Sequence, residues 1–199
     1  MDILGIIPAR GGSKGVVRKN VVPLCGKPLL GYTCEAASGS KILTRTVLST
    51  DDKEIAETGR SFGIEVPFMR PAELAQDETP TVPVLQHTIR ELEKDGQKYD
   101  AICLLQPTSP LRTSRMIDDA CQKFIESDCD TLLSVLELSA CHHPDWALLM
   151  DDKGLIHWVS GKSEPPPRRQ ELAPAYHREG SIYIVKTELL MKKNTLDCY

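Results

Sequence analysis

No apolar run in this 199-residue sequence approaches the ~20 residues that a membrane-spanning helix needs. A surplus of positive charge is also missing, since the formal net charge is −4, and this argues against broad electrostatic binding to nucleic acid or to anionic membranes. The amino terminus lacks the basic start and the long apolar stretch of a secretory signal peptide. We therefore expect a cytoplasmic protein whose ligands are small molecules.

The cysteines lack any paired pattern. They are odd in number and scattered, and no two of them form a C-x-x-C motif. Without a secretory signal, this usage indicates reduced thiols, several of them buried. The seven positions are Cys25, Cys34, Cys103, Cys121, Cys129, Cys141 and Cys198.

What is present is an alternation of strand-like and helix-like segments. Strand-type runs lie at 3–8, 45–50, 64–69, 101–105, 131–138 and 181–186, and helical spacing of apolar residues lies at 28–38, 53–62, 82–94, 114–127 and from 187 onward. Because helices separate the strands, we predict a three-layer α/β fold, with a mostly parallel sheet covered by helices on both faces. The runs at 101–105 and 131–138 are apolar enough to predict buried strands.

The alternation breaks at about residues 140–178, which are rich in Pro, His, Arg and Trp. Within this segment, residues 151–154 (DDKG) predict a hairpin turn between two short strands. A long irregular insertion is usually functional. We therefore expect one domain over residues 1–199 with an inserted arm at about 140–178, which serves as a lid or a dimerisation arm.

The first strand runs directly into a glycine-rich basic loop, residues 9–20 (ARGGSKGVVRKN). Glycines allow backbone N–H groups to approach an anion closely, and the loop's four cations can neutralise it. The loop is not a Walker A motif, because Val16 and Val17 follow Gly15, and its glycines do not form G-x-G-x-x-G. It predicts a site for a small phosphate-bearing ligand, the alternative being an ordinary basic surface loop.

Two other polar clusters invite a metal-binding interpretation. Asp51 and Asp52 follow a strand and could bind a cation, but they also stand directly before a helical segment, and we favour helix capping. Residues 141–145 (CHHPD) with His157 could suggest zinc. Their spacing fits no common zinc site, and we do not predict a metal there.

Residues 8–15 (PARGGSKG) resemble the opening of the sugar nucleotidyltransferases, and more narrowly of the CMP-sialic acid synthetases, also called acylneuraminate cytidylyltransferases. Further blocks resemble the same family in the same order, at 48–52 (LSTDD), 70–75 (RPAELA), 104–112 (LLQPTSPLR), 168–170 (RRQ) and 180–183 (GSIY). The resemblance covers nearly the whole chain. It implies a Rossmann-like nucleotide-diphospho-sugar transferase fold with a protruding dimerisation arm. It also implies coupling of CTP to an acidic nine-carbon 2-keto sugar, in lipopolysaccharide or capsule biosynthesis, to give the CMP-sugar and pyrophosphate.

The resemblance also implies roles for individual residues. The triphosphate would be held by the loop residues Arg10, Gly11, Gly12, Ser13, Lys14, Lys19 and Asn20. Of these, Lys19 and Arg10 would be catalytic, with Lys19 stabilising charge at the α-phosphate. Arg70 would lie near the cytosine base with Thr81 beside it, unless it is a surface arginine with an intrachain partner.

The sugar side of the pocket would be formed by Gln106, Thr108, Ser109, Arg169, Gln170 and Tyr183. In the family the arm reaches across a homodimer, so that Arg169 would meet the substrate carboxylate of the neighbouring subunit. The alternatives are a proline-rich turn with capping hydroxyls at 106–109 and a solvated basic stretch at 168–169.

The sequence departs from the family in two places. Family members bind the catalytic Mg²⁺ with an Asp-x-Asp pair near the C-terminus, and Asp197 does not fit that pattern, so the metal ligands are unknown and we expect a truncated chain. Glu179 stands where the family often has Asn. A related acid therefore stays open as the substrate (legionaminate, pseudaminate, Kdo or a phosphonate), as does a nucleotide-binding module without transferase activity.

Overall fold

A computed structural model describes residues 1–196 of the chain, so Asp197 and Cys198 lie outside the described residues. The chain divides into two compact units. The first comprises Met1–Ser134 together with the chain from Gly180 onward, and the second is Val135–Glu179.

The regular elements alternate along the chain much as the sequence predicts. The strands are β1 (Ile3–Pro8), β2 (Pro23–Leu24), β3 (Lys27–Pro28), β4 (Arg45–Ser49), β5 (Ala101–Leu104), β6 (Thr131–Glu137), β7 (Leu148–Met150), β8 (Ile156–Trp158) and β9 (Tyr176–Lys186). The α-helices are α1 (Leu29–Ser38), α2 (Lys53–Ser61), α3 (Thr81–Lys94), α4 (Ser114–Ser127) and α5 (Thr187–Lys193). No helix among residues 1–196 combines the length and the apolar character that crossing a bilayer requires.

The main sheet has five strands in the order β4-β1-β5-β9-β6. Strand β1 runs parallel to both β4 and β5, whereas β9 runs antiparallel to β5. The β4-β1-β5 part of the sheet is therefore parallel, and the predicted fold class is confirmed.

The two faces of the sheet are covered by different helices, which gives three layers. Because side chains alternate along a strand, Ile3 and Ile7 of β1 pack into one core cluster and Leu4 and Ile6 into the other. The first cluster draws its helical side chains from α1, α2 and α4, and the second from α3 and α5. The carboxyl edge of the parallel strands lies between these helical layers.

Two predicted strands differ from the structure. Residues 64–69 form no strand and make only a single parallel bridge between Glu65 and Val47. Pro67 explains this, because it has no backbone N–H to donate to a neighbouring strand. Strand β6 forms as predicted but is half-buried to exposed, since it is the last strand in the sheet order.

Glycines follow two of the helices, and the predicted free thiols are confirmed. Gly63 and Gly96 follow α2 and α3 with φ values of +78°, which glycine adopts without steric cost. The six described cysteines are free thiols, and three of them are buried, namely Cys34, Cys103 and Cys121.

The second unit contains the predicted hairpin. Strands β7 and β8 pair antiparallel. The Asp151 carboxylate accepts hydrogen bonds from the backbone N–H groups of Lys153 and Leu155, both at 2.9 Å. Gly154 supplies the turn's positive φ of +79°. A further hydrogen bond within the second unit joins the Trp146 Nε1–H to the carbonyl of Pro166 at 2.8 Å.

Candidate active site

A cleft of about 300 Å³ opens beyond the carboxyl ends of β1 and β5. Parallel α/β sheets place their ligands at this edge. The side chains around the cleft come from the glycine-rich loop, the segment before α3, the start of α3 and the turn after β5; they include Arg10, Ser13, Lys19, Asn20, Arg70, Gln76, Asp77, Thr79, Thr81, Gln106 and Thr108. An adjoining hollow of about 380 Å³ shares Arg10, Ser13, Lys19 and Asp77 and adds Lys14.

Most of the sequence-predicted site residues line these two spaces, but six do not. Gly11 and Gly12 belong to the loop itself, and Ser109 lies in the turn after β5. Tyr183 lies on β9 opposite Leu104 and packs half-buried against the second core cluster. Arg169 and Gln170 belong to the second unit, in a short 3-10 helix over Arg169–Glu171.

Gly11 is required for packing as much as for ligand access. Its backbone N–H donates to Asp51 Oδ1 at 3.0 Å, so this donor is already engaged. A Cβ atom at position 11 would lie 2.8 Å from Asp52 Oδ2. This is closer than a Cβ atom normally comes to another atom, so any residue other than glycine would require the Asp52 side chain to move. At Gly12, by contrast, a Cβ atom would meet nothing within 4 Å, and no steric contact demands glycine there.

Asn20 fixes the position of Arg10. It is 4% exposed, and its Nδ2 donates to the Arg10 carbonyl oxygen at 3.0 Å. It lies in the 3-10 helix Lys19–Val21, which begins after Arg18 adopts a left-handed conformation with φ of +53°. The end of β1 and the basic part of the loop are therefore held together by a buried side-chain amide.

Asp52 caps α2, which confirms the capping interpretation. Its Oδ1 accepts the Ile55 N–H at 3.0 Å. Arg18 donates to Asp52 Oδ2 at 3.1 Å and also contacts Glu54, so this cation of the loop binds α2. Burial acts to raise the pKa of Asp52, but the hydrogen bonds from Arg18 and from the backbone outweigh it and lower that pKa overall.

Asp77 is a cleft residue that the sequence analysis missed. Its Oδ1 lies 2.8 Å from Arg10 Nη2, and its Oδ2 lies 2.7 Å from Lys14 Nζ. Arg10 Nη1 also donates to the carbonyl of Gln76 at 2.6 Å. The only signal in the sequence was an acidic residue between the resembling block 70–75 and Thr81. Two of the predicted phosphate-binding cations thus face an intrachain carboxylate.

Arg70 is a buried cation that pairs with no carboxylate in the described part of the chain. It is 6% exposed, its Nε donates to Ser49 Oγ at 3.1 Å, and its Nη2 donates to the Ser49 carbonyl. Burial lowers the pKa of Arg70 to about 10, with Asp51 acting in the opposite direction, so the guanidinium stays charged at neutral pH. Of the alternative, the surface position is wrong, whereas an intrachain partner is present in Ser49. Arg70 forms no ion pair within residues 1–196.

The Lys19 side chain also supplies positive charge to the cleft. Its backbone N–H bonds to the Val16 carbonyl at 3.2 Å, but its ammonium contacts no hydrogen-bonding or ionic partner in the part of the chain that the structure describes. Its side chain lines both the cleft and the adjoining hollow. Lys19 and Arg70 therefore supply positive charge that no carboxylate of the described chain neutralises by direct contact.

The turn after β5 is fixed by Arg112, a second residue that the sequence analysis did not assign. Arg112 is 4% exposed, and it donates to the carbonyls of Ser181 and Gln106 at 2.5 and 2.8 Å and to Thr33 Oγ1 at 2.8 Å. The signal was its place at the end of the resembling block 104–112. Gln106 reaches the cleft from this anchored turn.

The described residues do not fit the expected magnesium site. Within residues 1–196, no three His, Cys, Asp or Glu side chains are grouped so that they could hold a metal ion. Asp77 lines the cleft but is engaged with two cations. In the segment suggestive of zinc, His143 Nε2 lies 2.8 Å from the Ala173 carbonyl and its Nδ1 accepts the Asp145 N–H.

The chain is similar to known proteins of one family. Residues 4–198 match the family model described as "Cytidylyltransferase". The chain is 36% identical to the pseudaminic acid cytidylyltransferase of Campylobacter jejuni, with 92% of this chain and 78% of that protein covered. It is 32% identical to the CMP-N,N'-diacetyllegionaminic acid synthase of Legionella pneumophila, with 98% and 82% covered. It is 34% identical to the N-acylneuraminate cytidylyltransferase of Streptococcus agalactiae, with 98% and 46% covered.

Solved structures show the same fold. The chain superposes on CMP:2-keto-3-deoxy-manno-octonic acid synthetase, solved in complex with CTP, with a TM-score of 0.73 and 20% identity, over 100% of this chain and 80% of that one. It also matches a 4-diphosphocytidyl-2C-methyl-D-erythritol synthase from Anaerococcus prevotii with a TM-score of 0.62 and 12% identity, over 94% and 71%.

Proposed function

Because the chain belongs to the cytidylyltransferase family, we propose that it couples CTP to an acidic nine-carbon 2-keto sugar of the N-acylneuraminate type and releases pyrophosphate. One observation carries this proposal. At the carboxyl edge of the sheet, Lys19 and Arg70 line the same cleft as Gln106 and Thr108, and neither cation has a carboxylate partner among residues 1–196. The cleft thus offers positive charge for a nucleotide beside neutral hydrogen-bonding groups suited to a sugar.

The proposed reaction is an in-line displacement. The sugar's anomeric hydroxyl oxygen forms a bond to the α-phosphorus and its proton is released to water. The bond from the α-phosphorus to the bridging oxygen breaks, and pyrophosphate leaves with the electron pair. Such chemistry needs positioning and charge neutralisation, and the enzyme supplies no covalent nucleophile. The Lys19 ammonium stabilises charge at the α-phosphate, and it breaks no ion pair within residues 1–196 to do so. Arg10, whose carbonyl is fixed by Asn20, turns its planar guanidinium to the phosphate oxygens.

The nucleotide base is recognised on the Arg70 side of the cleft in this proposal. Ser49 holds the Arg70 guanidinium in one orientation, so it is pre-organised as a donor. Thr81, the first residue of α3, lines the same cleft and offers a hydroxyl. A cytosine carbonyl oxygen is an acceptor that such donors can bind.

The sugar is assigned to the turn after β5. Gln106 and Thr108 line the cleft, and Ser109 and Tyr183 complete the proposed sugar side. By the family resemblance, Arg169 and Gln170 are proposed to meet the carboxylate of the sugar bound by the neighbouring subunit of a homodimer. The relatives named for pseudaminate, diacetyllegionaminate and N-acylneuraminate are 36%, 32% and 34% identical to this chain. Because these identities are similar, all three acids are candidates.

Magnesium stays a proposal that depends on the family resemblance alone. The described residues offer no ligand set for it, and no step above passes through a metal ion. The full chain assayed with Mg²⁺ and then with EDTA tests the requirement directly. We expect pyrophosphate release to stop when EDTA is added and to return with excess Mg²⁺.

The function is tested by measuring pyrophosphate release from CTP, GTP, UTP and ATP, each with pseudaminate, diacetyllegionaminate, N-acetylneuraminate and the eight-carbon acid Kdo. We expect release with CTP and one of the three nine-carbon acids. The absence of release with every pair would contradict the transferase proposal. Calorimetric binding of CTP in that case would identify a nucleotide-binding module without transferase activity.

A further inference from the structure

Asp77 holds two of the cations that the proposed function assigns to the triphosphate. One carboxylate bridges Arg10 and Lys14, with oxygen-to-nitrogen distances of 2.8 and 2.7 Å. The Arg10 side chain is 30% exposed, that of Asp77 34% and that of Lys14 83%, so both ion pairs are open to water. Ion pairs with this exposure contribute little to stability and exchange readily for a stronger ligand.

The segment that carries Asp77, residues 71–80, has its own hydrogen bonds. Leu74 and Ala75 donate to the carbonyls of Pro71 and Ala72, the Thr79 N–H donates to the Gln76 carbonyl, and the Gln76 side chain donates to the Ala72 carbonyl at 2.7 Å. All of these bonds lie within the segment. Arg10 Nη1 also donates to the Gln76 carbonyl at 2.6 Å, a contact that does not involve the Asp77 carboxylate. The segment can therefore keep its local shape when Asp77 is released from both cations.

Charge decides which ligand can take the place of Asp77. Arg10 and Lys14 together carry two positive charges against the single negative charge of Asp77, and Lys19 adds a third positive charge beside them. Lys14, with its hydrogen bond and charge, holds the pKa of Asp77 below its ordinary value, so the carboxylate is ionised at neutral pH. A polyphosphate carries more negative charge than one carboxylate and presents several oxygens to both cations.

We propose that Asp77 is a displaceable counter-ion, which neutralises Arg10 and Lys14 in the empty cleft and is expelled by the polyphosphate of the incoming nucleotide. Asp77 then lowers the affinity for CTP, and it lowers the affinity for the product pyrophosphate in the same way, which favours product release. The proposal rests on the proposed function, because it takes Arg10 and Lys14 as ligands of the phosphates. Asp77 acts through these two cations and is a positioning residue.

The test compares Asp77→Asn with the control Glu78→Gln in the full chain. Glu78 is the next residue, is exposed and forms no ion pair in the described part of the chain, so its substitution makes the same change in net charge. Calorimetry without sugar measures binding of CTP, of inorganic pyrophosphate and of uncharged cytidine. We expect Asp77→Asn to bind CTP and pyrophosphate about 3- to 30-fold more tightly, because two exposed ion pairs need not be broken.

Cytidine affinity should be unchanged in both variants, and CTP affinity should be unchanged in Glu78→Gln. In turnover, Asp77→Asn should lower the KM for CTP without raising kcat, and pyrophosphate should inhibit it more strongly. Unchanged or weaker binding of CTP and pyrophosphate by Asp77→Asn would overturn the proposal. If the wild-type chain binds neither CTP nor pyrophosphate, the proposed function fails instead, so the two failures are distinguishable.

Discussion

At the scale of single residues, the cations of the glycine-rich loop divide by what they contact. Arg18 binds Asp52 and Glu54 of the α2 region, Arg10 and Lys14 bind Asp77, and the Lys19 ammonium has no partner within residues 1–196. The sequence predicted a basic phosphate loop, but it could not separate these roles, because the partners lie 34 or more positions away in the chain.

Lys19→Ala should reduce turnover by about 10²–10³-fold, because one donor that stabilises charge in the transition state is typically worth that much. Its fold should be unaffected, since the side chain forms no intrachain bond among the described residues. The measurement is kcat from pyrophosphate release, with circular dichroism to monitor folding. Lys41→Ala, which removes a lysine from the loop before β4, is the matched control and should retain wild-type turnover. Near-normal turnover of Lys19→Ala would remove Lys19 from the phosphate site.

The substitution Asp52→Asn should make the free energy of unfolding depend less on pH in the acidic range. The native pKa of Asp52 lies below its ordinary value of 3.8, so the carboxylate's contribution is present above about pH 4 and is lost as the pH falls through the native pKa. Asparagine still caps α2 but loses the charge that binds Arg18. Urea unfolding at pH 7 and at pH 3 should show the wild type to be more stable than the variant at pH 7 and the difference between them to be smaller at pH 3. A stability difference that is equal at both pH values would contradict this assignment.

At the scale of elements, local signals predicted the helices well and the sheet edges less well. Glycines with positive φ stand two residues after the ends of α2 and α3, and this stop signal is a property of a few neighbouring residues. Residues 64–69 form no strand because Pro67 has no N–H to donate. The exposure of β6 depends on the order of strands, which no local window contains. The turn after β5 depends likewise on Arg112, whose acceptors include Thr33 and Ser181, far away in sequence.

Arg112→Ala should lower the free energy of unfolding by about 3 kcal/mol or more, because the buried carbonyls of Gln106 and Ser181 and the Thr33 hydroxyl would lose a charged donor. Urea unfolding measures the change. Arg115→Ala is the matched control, since the Arg115 side chain is 90% exposed, and it should stay within about 0.5 kcal/mol of the wild type. A small effect of Arg112→Ala would mean that the turn holds its shape without this anchor.

At the scale of the whole molecule, the second unit carries most of its large apolar side chains on the outside. In the β7–β8 hairpin, Leu149 is 64%, Met150 71% and Ile156 58% exposed. A cluster of exposed apolar side chains on a small unit is typical of an interaction surface. We propose, in line with the homodimer that the family resemblance implies, that a second copy of the chain covers this hairpin.

The double variant Leu149→Lys with Ile156→Lys should therefore be monomeric where the wild type is dimeric. Sedimentation should give about twice the chain mass of 22.1 kDa for the wild type and the single-chain mass for the variant. Leu111→Lys, at a position 90% exposed in the first unit, should remain dimeric. A monomeric wild type would rule out the homodimer.

The sequence by itself determined the alternation of elements, the α/β class, the glycine-rich loop and the family, because these follow from local periodicity and from short motifs. Only the tertiary structure decided which cations of the loop stay unpaired among residues 1–196 and that Asp77 forms ion pairs with Arg10 and Lys14. It also decided that position 11 lies too close to Asp52 for a side chain and that Arg112 anchors the turn after β5. The physical reason is that ion pairs, close contacts and burial join residues distant in the chain, and their partners are set by how the layers pack around the sheet.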